Sequence, residues 1–173
     1  MATATVVVKY GIIGVGMMGR EHLINLHHLC NENVAVVAIA DPHLPSQQLA
    51  INLAHSFSWP LKVFSGHKEL LDSGLCDVLV VSTPNMTHYS ILMDIINHSK
   101  PHHVLVEKPL CTTVSHCKEV VRAARKRPDI LVQVGLEYRY MPPVAKLIEI
   151  VNGGSLGHVK DGINSGASVS FLG

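Results

Sequence analysis

Three short clusters in this chain have residue types and spacing that suit chemistry on a nucleotide. Gly14-Val15-Gly16-Met17-Met18-Gly19 reads GxGxxG, and Asp41 stands 22 positions beyond its last glycine. Between a strand and a helix, Gly14 permits the tight turn, Gly16 the close approach of a diphosphate, and Gly19 the packing of helix on strand. The diphosphate would rest on the first amides of that helix, where Met17 and Met18 lie. Asp41 would accept hydrogen bonds from the hydroxyls of an adenosine ribose and repel a 2′-phosphate, which favours NAD over NADP. Without that context the same residues are a glycine turn and a solvated acid.

The second cluster, Ser82-Thr83-Pro84-Asn85, follows an apolar run, at the edge where ligands of open α/β sheets bind. Taken alone it is a strand-to-helix turn with Asn85 or Thr87 as the cap, and His88 reads as a packing residue rather than a catalyst. The third, Glu107-Lys108-Pro109, follows the next apolar run. Its lysine suits a hydrogen bond to a substrate hydroxyl as hydride leaves, the competing reading being a surface salt bridge.

These clusters need elements to hold them, and the sequence supplies alternating ones. Residues 6–8 and 10–15 form a β-branched, two-sided apolar run, as in a central parallel strand. Residues 17–30 carry Leu23, Leu26, Leu29 and Cys30 at helical spacing, and residues 34–40 are again unbroken apolar. The pattern continues with helix at 44–56, strand at 61–64, helix at 67–72 and strand at 78–81. A helix bearing Ile91, Leu92, Ile95 and Ile96 comes next, then a strand at 103–106 bounded by Pro101 and Pro109. A helix near 113–126 places Val114, Cys117, Val120, Val121 and Ala124 on one stripe and ends before Pro128. A strand at 130–134 and a helix with Val144, Leu147, Ile148 and Val151, ended by Gly153, complete it. Such alternation predicts a doubly wound α/β fold with a parallel sheet.

Composition narrows the ligand. The 173 residues include 14 basic and 13 acidic side chains, so no broad field favours nucleic acid or an anionic membrane. No apolar run approaches the roughly 20 residues of a membrane span, and a cytoplasmic protein is expected. Cys30, Cys76, Cys111 and Cys117 show no CxxC pairing and read as core thiols, and the 12 histidines show no metal-ligand spacing.

In their order and spacing, Gly14 to Gly19, Asp41, Thr83-Pro84-Asn85 with His88, and Glu107-Lys108-Pro109 resemble the glucose-fructose oxidoreductase, inositol dehydrogenase and rhizopine-catabolism family, over residues 6 to about 160. Residues 134–140 are similar to that family's strand leading out of the nucleotide domain, and residues 154–159 to the turn opening its second domain. The resemblance implies NAD- or NADP-dependent hydride transfer at a hydroxyl-bearing carbon of a sugar, inositol or diol. It makes Lys108 the catalytic lysine that touches substrate and cofactor, joined to Pro109 by a cis bond. It adds Thr83, Pro84, Asn85, His88 and Glu107 to the cofactor contacts, with Glu107 on the nicotinamide ribose. Tyr138 and Arg139 match the border of the substrate pocket, a packing role for Tyr138 being equally open.

Members of that family continue into a large second domain with an open antiparallel sheet, and often oligomerise through it. The resemblance therefore implies a dinucleotide-binding domain at 1–140 and, at 141–173, the start of an α+β substrate domain with a Gly/Ser-rich tail. A chain of this extent is expected to bind nucleotide but turn over poorly, with a homo-oligomer in the full-length form. A noncatalytic dinucleotide-binding or interaction module is the alternative, and a small reductase related to biliverdin reductase is a third. Residues 99–103 depart from the family's short Gly-containing turn.

Overall fold

A computed structural model describes residues 6–154 and 157. The contacts divide the chain after Gly135 into two compact units, and every motif from Gly14 to Pro109 lies in the first. Six parallel strands make its sheet: β1 (Val8–Ile13), β2 (Val34–Ala40), β3 (Lys62–Phe64), β4 (Val78–Val81), β5 (His103–Glu107) and β6 (Val132–Gly135). Parallel neighbours need a crossover, and helices supply them: α1 (Met17–His28), α2 (Leu44–Ser56), α3 (His67–Asp72), α4 (His88–Asn97) and α5 (Val114–Ala124).

Strands β2 and β4 are apolar throughout, with both faces covered. On β4, Leu79 and Val81 join a core with Leu92, Ile95 and Ile96 of α4 and Val120 of α5, while Val80 between them joins Leu23 and Leu26 of α1 and Ala50 and Ala54 of α2. Alternation along the strand thus splits its side chains between two hydrophobic layers. Each fully buried Leu or Ile contributes about 1.5–3 kcal/mol.

The strand order is β3-β2-β1-β4-β5-β6. The chain runs outward from β1 to β3, then returns to the other side of β1, so the loops at the carboxyl ends of β1 and β4 diverge. A doubly wound sheet opens a crevice at such a reversal, and the glycine turn follows β1 at that place.

Several sequence expectations shift. Strand β1 begins at Val8, with Val6 exposed. Helix α1 stops at His28, and a 3-10 turn over Cys30–Glu32 replaces its last turn. Leu29 and Cys30 are therefore exposed, and Cys30 is not a core thiol. On α5, Val114 and Val121 are seven residues apart on one outward face, whereas Cys117, Val120 and Ala124 turn to the core. Strand β6 lies at 132–135, and residues 137–140 form a 3-10 turn in place of continuing strand.

The second unit is described by itself. It holds that turn and α6 (Pro142–Asn152), whose two prolines occupy the first helical positions, where a missing N–H costs nothing. The Gly/Ser-rich tail expected from residue 161 onward lies outside the described residues.

Candidate functional site

Beyond β1 the backbone reverses at Gly14, whose φ of 86° lies in the left-handed region. Gly14 N–H donates to Ala40 O at 2.8 Å, and the Ser82 hydroxyl donates to Gly14 O at 2.7 Å, so the turn is pinned from both flanking strands. A Cβ on Gly19 would overlap that same carbonyl, so only glycine lets α1 lie this close. Open space surrounds Gly16, which precedes α1 without a side-chain cap, and no acid occupies the first helical turn. The leading amides of α1 thus lack an intrahelical partner and present the positive end of the helix dipole. An anion satisfies both. Met17 is exposed and Met18 half-buried beside these amides, while Arg20 Nη1 donates to Val15 O at 2.9 Å.

At the end of β2 the buried Asp41 carboxylate accepts two backbone N–H groups, Val15 on Oδ2 at 2.7 Å and His43 on Oδ1 at 2.8 Å. A carboxylate has about four lone-pair positions, so each oxygen retains capacity for a further hydroxyl donor. Beside it a cleft of about 460 Å³ runs over the ends of β1, β2 and β4, lined by Ile13, Ala40, Pro42, Thr83, Pro84 and Ile91 together with Ser65, Gly66, His67, Thr87 and Ser90. Apolar walls with a few hydroxyls suit a flat heteroaromatic base.

Beyond β4, Thr83 faces the glycine turn, and Pro84 and Asn85 are exposed in a short 3-10 turn. Thr87 precedes α4 and spends its hydroxyl on Pro84 O and Thr83 Oγ1, at 2.7 and 2.8 Å, rather than on a helix amide. His88 has no exposed surface. Its Nδ1 lies 2.9 Å from Pro109 O and its Nε2 2.9 Å from Thr83 O. It enters the site as a tie between two loops, without free surface for a ligand.

At the end of β5, Glu107 is 8% exposed, Lys108 is exposed, and the Lys108-Pro109 bond is cis. Glu107 Oε1 accepts from His22 Nε2 at 2.7 Å and Oε2 from Lys108 N–H at 3.3 Å. Lys108 Nζ has no carboxylate within ion-pair distance among the described residues. The surface salt bridge weighed for it from sequence is thus not formed.

The structure therefore gathers Gly14, Gly16, Met17, Met18, Gly19, Asp41, Thr83, Pro84, Asn85, Glu107 and Lys108 along one sheet edge. Tyr138 and Arg139 fall in the second unit, with Tyr138 exposed. Sequence reasoning missed His22, and it placed Ser82 in its cluster without the bond to Gly14 O. The one signal for His22 is its place three residues past Gly19, one helical turn from the glycine loop. Two other hollows, about 390 Å³ between α3 and α4 and about 540 Å³ between α4 and α5, contain none of the motif residues. Among the described residues no three His, Cys, Asp or Glu side chains gather as a metal site, and no helix is long and apolar enough to cross a membrane.

A crevice of this form, opening where the strand order reverses and edged by uncapped helix amides, defines the Rossmann class of dinucleotide-binding folds. Within it, the chain belongs to the oxidoreductase family with the NAD-binding Rossmann fold, whose sequence pattern matches residues 8–136. It is 29% identical over 149 residues to the inositol 2-dehydrogenase of Salmonella paratyphi B, covering 86% of this chain and 43% of that protein. Inositol 2-dehydrogenase 4 of Saccharopolyspora erythraea is 32% identical over 152 residues, covering 86% and 42%. Among solved structures, the myo-inositol dehydrogenase of Lactobacillus casei in complex with NAD(H) and myo-inositol superposes with a TM-score of 0.77 at 28% identity, over 86% of this chain and 42% of that one. The chain spans less than half the length of the relatives it matches.

Proposed function

We propose that this chain is the nucleotide-binding half of an NAD-dependent dehydrogenase that moves hydride between nicotinamide and a hydroxyl-bearing carbon of inositol or a related polyol. One observation carries the reading: the uncapped start of α1 stands at the glycine turn, with the buried Asp41 carboxylate bonded to that turn at 2.7 Å. Diphosphate needs the amides, and adenosine ribose needs a carboxylate beside them. NAD, when bound, supplies the hydride acceptor. The polyol substrate is inferred from the inositol dehydrogenases among the relatives.

The chain's own residues divide the work. The first amides of α1 hold the diphosphate, and Asp41 takes the adenosine ribose and disfavours a 2′-phosphate, so NADP is the weaker ligand. The cleft beside Pro42 and Pro84 takes the base. Glu107 fixes the second ribose, and the unpaired Lys108 ammonium at the sheet edge is the catalytic group that hydrogen-bonds the substrate hydroxyl. The unit that ends at Gly135 is the nucleotide domain, and the unit beyond it begins a substrate domain of a homo-oligomeric protein. The unpaired cysteines fit a reducing cytoplasm.

Titration of the 173-residue chain with NAD and NADP, paired with a hydride-transfer assay on inositols, sugars and diols, tests the proposal. Saturable binding with NAD preferred and turnover low is expected. Failure to bind either nucleotide would overturn it. Robust turnover that survives Lys108→Ala would remove Lys108 from the chemistry.

A further inference from the structure

One hydrogen bond spans 85 positions of the chain to join α1 to the end of β5, from His22 Nε2 to Glu107 Oε1 at 2.7 Å. An ionised carboxylate can only accept, so the imidazole is the donor. Glu107 is 8% exposed, and the other donor on its carboxylate, the Lys108 N–H, is distant at 3.3 Å. A buried carboxylate with no strong donor turns toward water. His22 therefore decides where these oxygens stand. On the opposite side a Cβ added at Gly135 would lie 3.6 Å from the same oxygen, so β6 leaves the carboxylate room without gripping it.

The location gives the bond a purpose. Asp41 at the end of β2 marks the adenosine side of the crevice, and the strand order reverses between β1 and β4. The other half of a dinucleotide then lies toward β4 and β5, where Glu107 and Lys108 stand. We propose that His22 is a positioning residue for the nicotinamide half of the cofactor. From one turn past Gly19, on the helix that receives the diphosphate, it fixes the Glu107 carboxylate where that half's ribose hydroxyls arrive. His22 acts through Glu107 and not on the ligand, and the inference rests on the nucleotide reading above.

Affinities of the 173-residue chain for NAD and for ADP, which lacks the nicotinamide ribose, separate this role from mere support of α1. His22→Leu removes the donor and keeps an apolar side chain of similar bulk, while His22→Gln retains an N–H. Loss of one hydrogen bond to a charged group predicts NAD weakened about tenfold in His22→Leu, with ADP held within about twofold and most of the NAD loss recovered in His22→Gln. Equal weakening of NAD and ADP would overturn the proposal, as would unchanged NAD affinity in His22→Leu. Should thermal melting show His22→Leu unfolded, His22→Gln decides: NAD and ADP affinities near those of the parent chain support the tie, and an NAD loss with the fold intact overturns it. If the unsubstituted chain binds ADP and NAD equally, this proposal falls while the nucleotide reading stands. If it binds neither, both fall.

Discussion

The backbone N–H of Val15 donates to Asp41 Oδ2 at 2.7 Å across 26 positions of sequence. The acid at the end of β2 is thus part of the glycine turn as well as a receptor for ribose. The turn's shape and the charge that reads the nucleotide come from one side chain.

Replacing Asp41 by Ala removes both functions together. The buried Val15 N–H loses its acceptor, which costs roughly 1–3 kcal/mol, and the His43 N–H, in an exposed residue, loses one that water can replace. Urea denaturation should show that loss. Nucleotide titration should show NAD weakened more than NADP, because the variant loses a partner for the 2′-hydroxyl and also a repulsion of the 2′-phosphate. Equal weakening of the two cofactors would contradict the ribose role.

Gly19→Ala should be costly despite alanine's higher helix propensity. Its methyl would overlap Gly14 O, the carbonyl already held by Ser82, so α1 must move off β1 or the turn must open. Overpacking of this kind costs about 1–3 kcal/mol, and moving the α1 amides should weaken nucleotide binding further. Gly16→Ala, with open space around it, is the control: stability is retained while binding falls. Denaturation and NAD titration on the two variants measure the contrast.

The glycine turn, Asp41 and the Glu107-Lys108 loop were legible in sequence because each follows an unbroken apolar run in the alternation of strands and helices. The doubly wound class followed from the same alternation. His22 and the bond from Ser82 to Gly14 were not legible, since each acts across elements far apart in the chain through a residue type common on any helix or turn. Leu29 and Cys30 continue the 3.6-residue stripe on paper, but the helix ends at His28, and nothing in periodicity marks that end. Val114 and Val121 were misplaced because a stripe one residue too wide admits both faces of α5.

His102 makes stability depend on acid. The ring is 1% exposed, its Nδ1 donates to Cys76 O at 3.0 Å, and its Nε2 has no partner. Burial pushes its pKa below the ordinary 6.5, against the Cys76 carbonyl and Asp77, which favour protonation, and together with Lys100 and His98, which oppose it. The unfolded ring takes up a proton near pH 6.5 while the folded ring resists. The unfolded state thus binds more protons as pH falls through and below 6.5, and stability is lost over that window. Urea denaturation at pH 7.5 and 5.5 should show a loss in the parent chain that is smaller in His102→Gln. An identical loss in both would assign the acid sensitivity elsewhere.

The cysteines should differ sharply in reactivity. Burial pushes the thiols of Cys76 and Cys111 up to about 11, opposed at Cys76 by Lys100 and reinforced at Cys111 by Cys117, whereas Cys30 is exposed past the end of α1. Alkylation requires the thiolate, so against an ordinary thiol near 8.5 the ionised fraction at pH 8 is smaller by roughly a hundredfold, before any steric protection. Iodoacetamide at pH 8, followed by peptide mass spectrometry, should label Cys30 first and leave Cys76 and Cys111 unmodified until denaturant is added. Prompt labelling of Cys76 in the folded chain would mean that the layer packed by Leu70 and Leu79 opens faster than its burial implies.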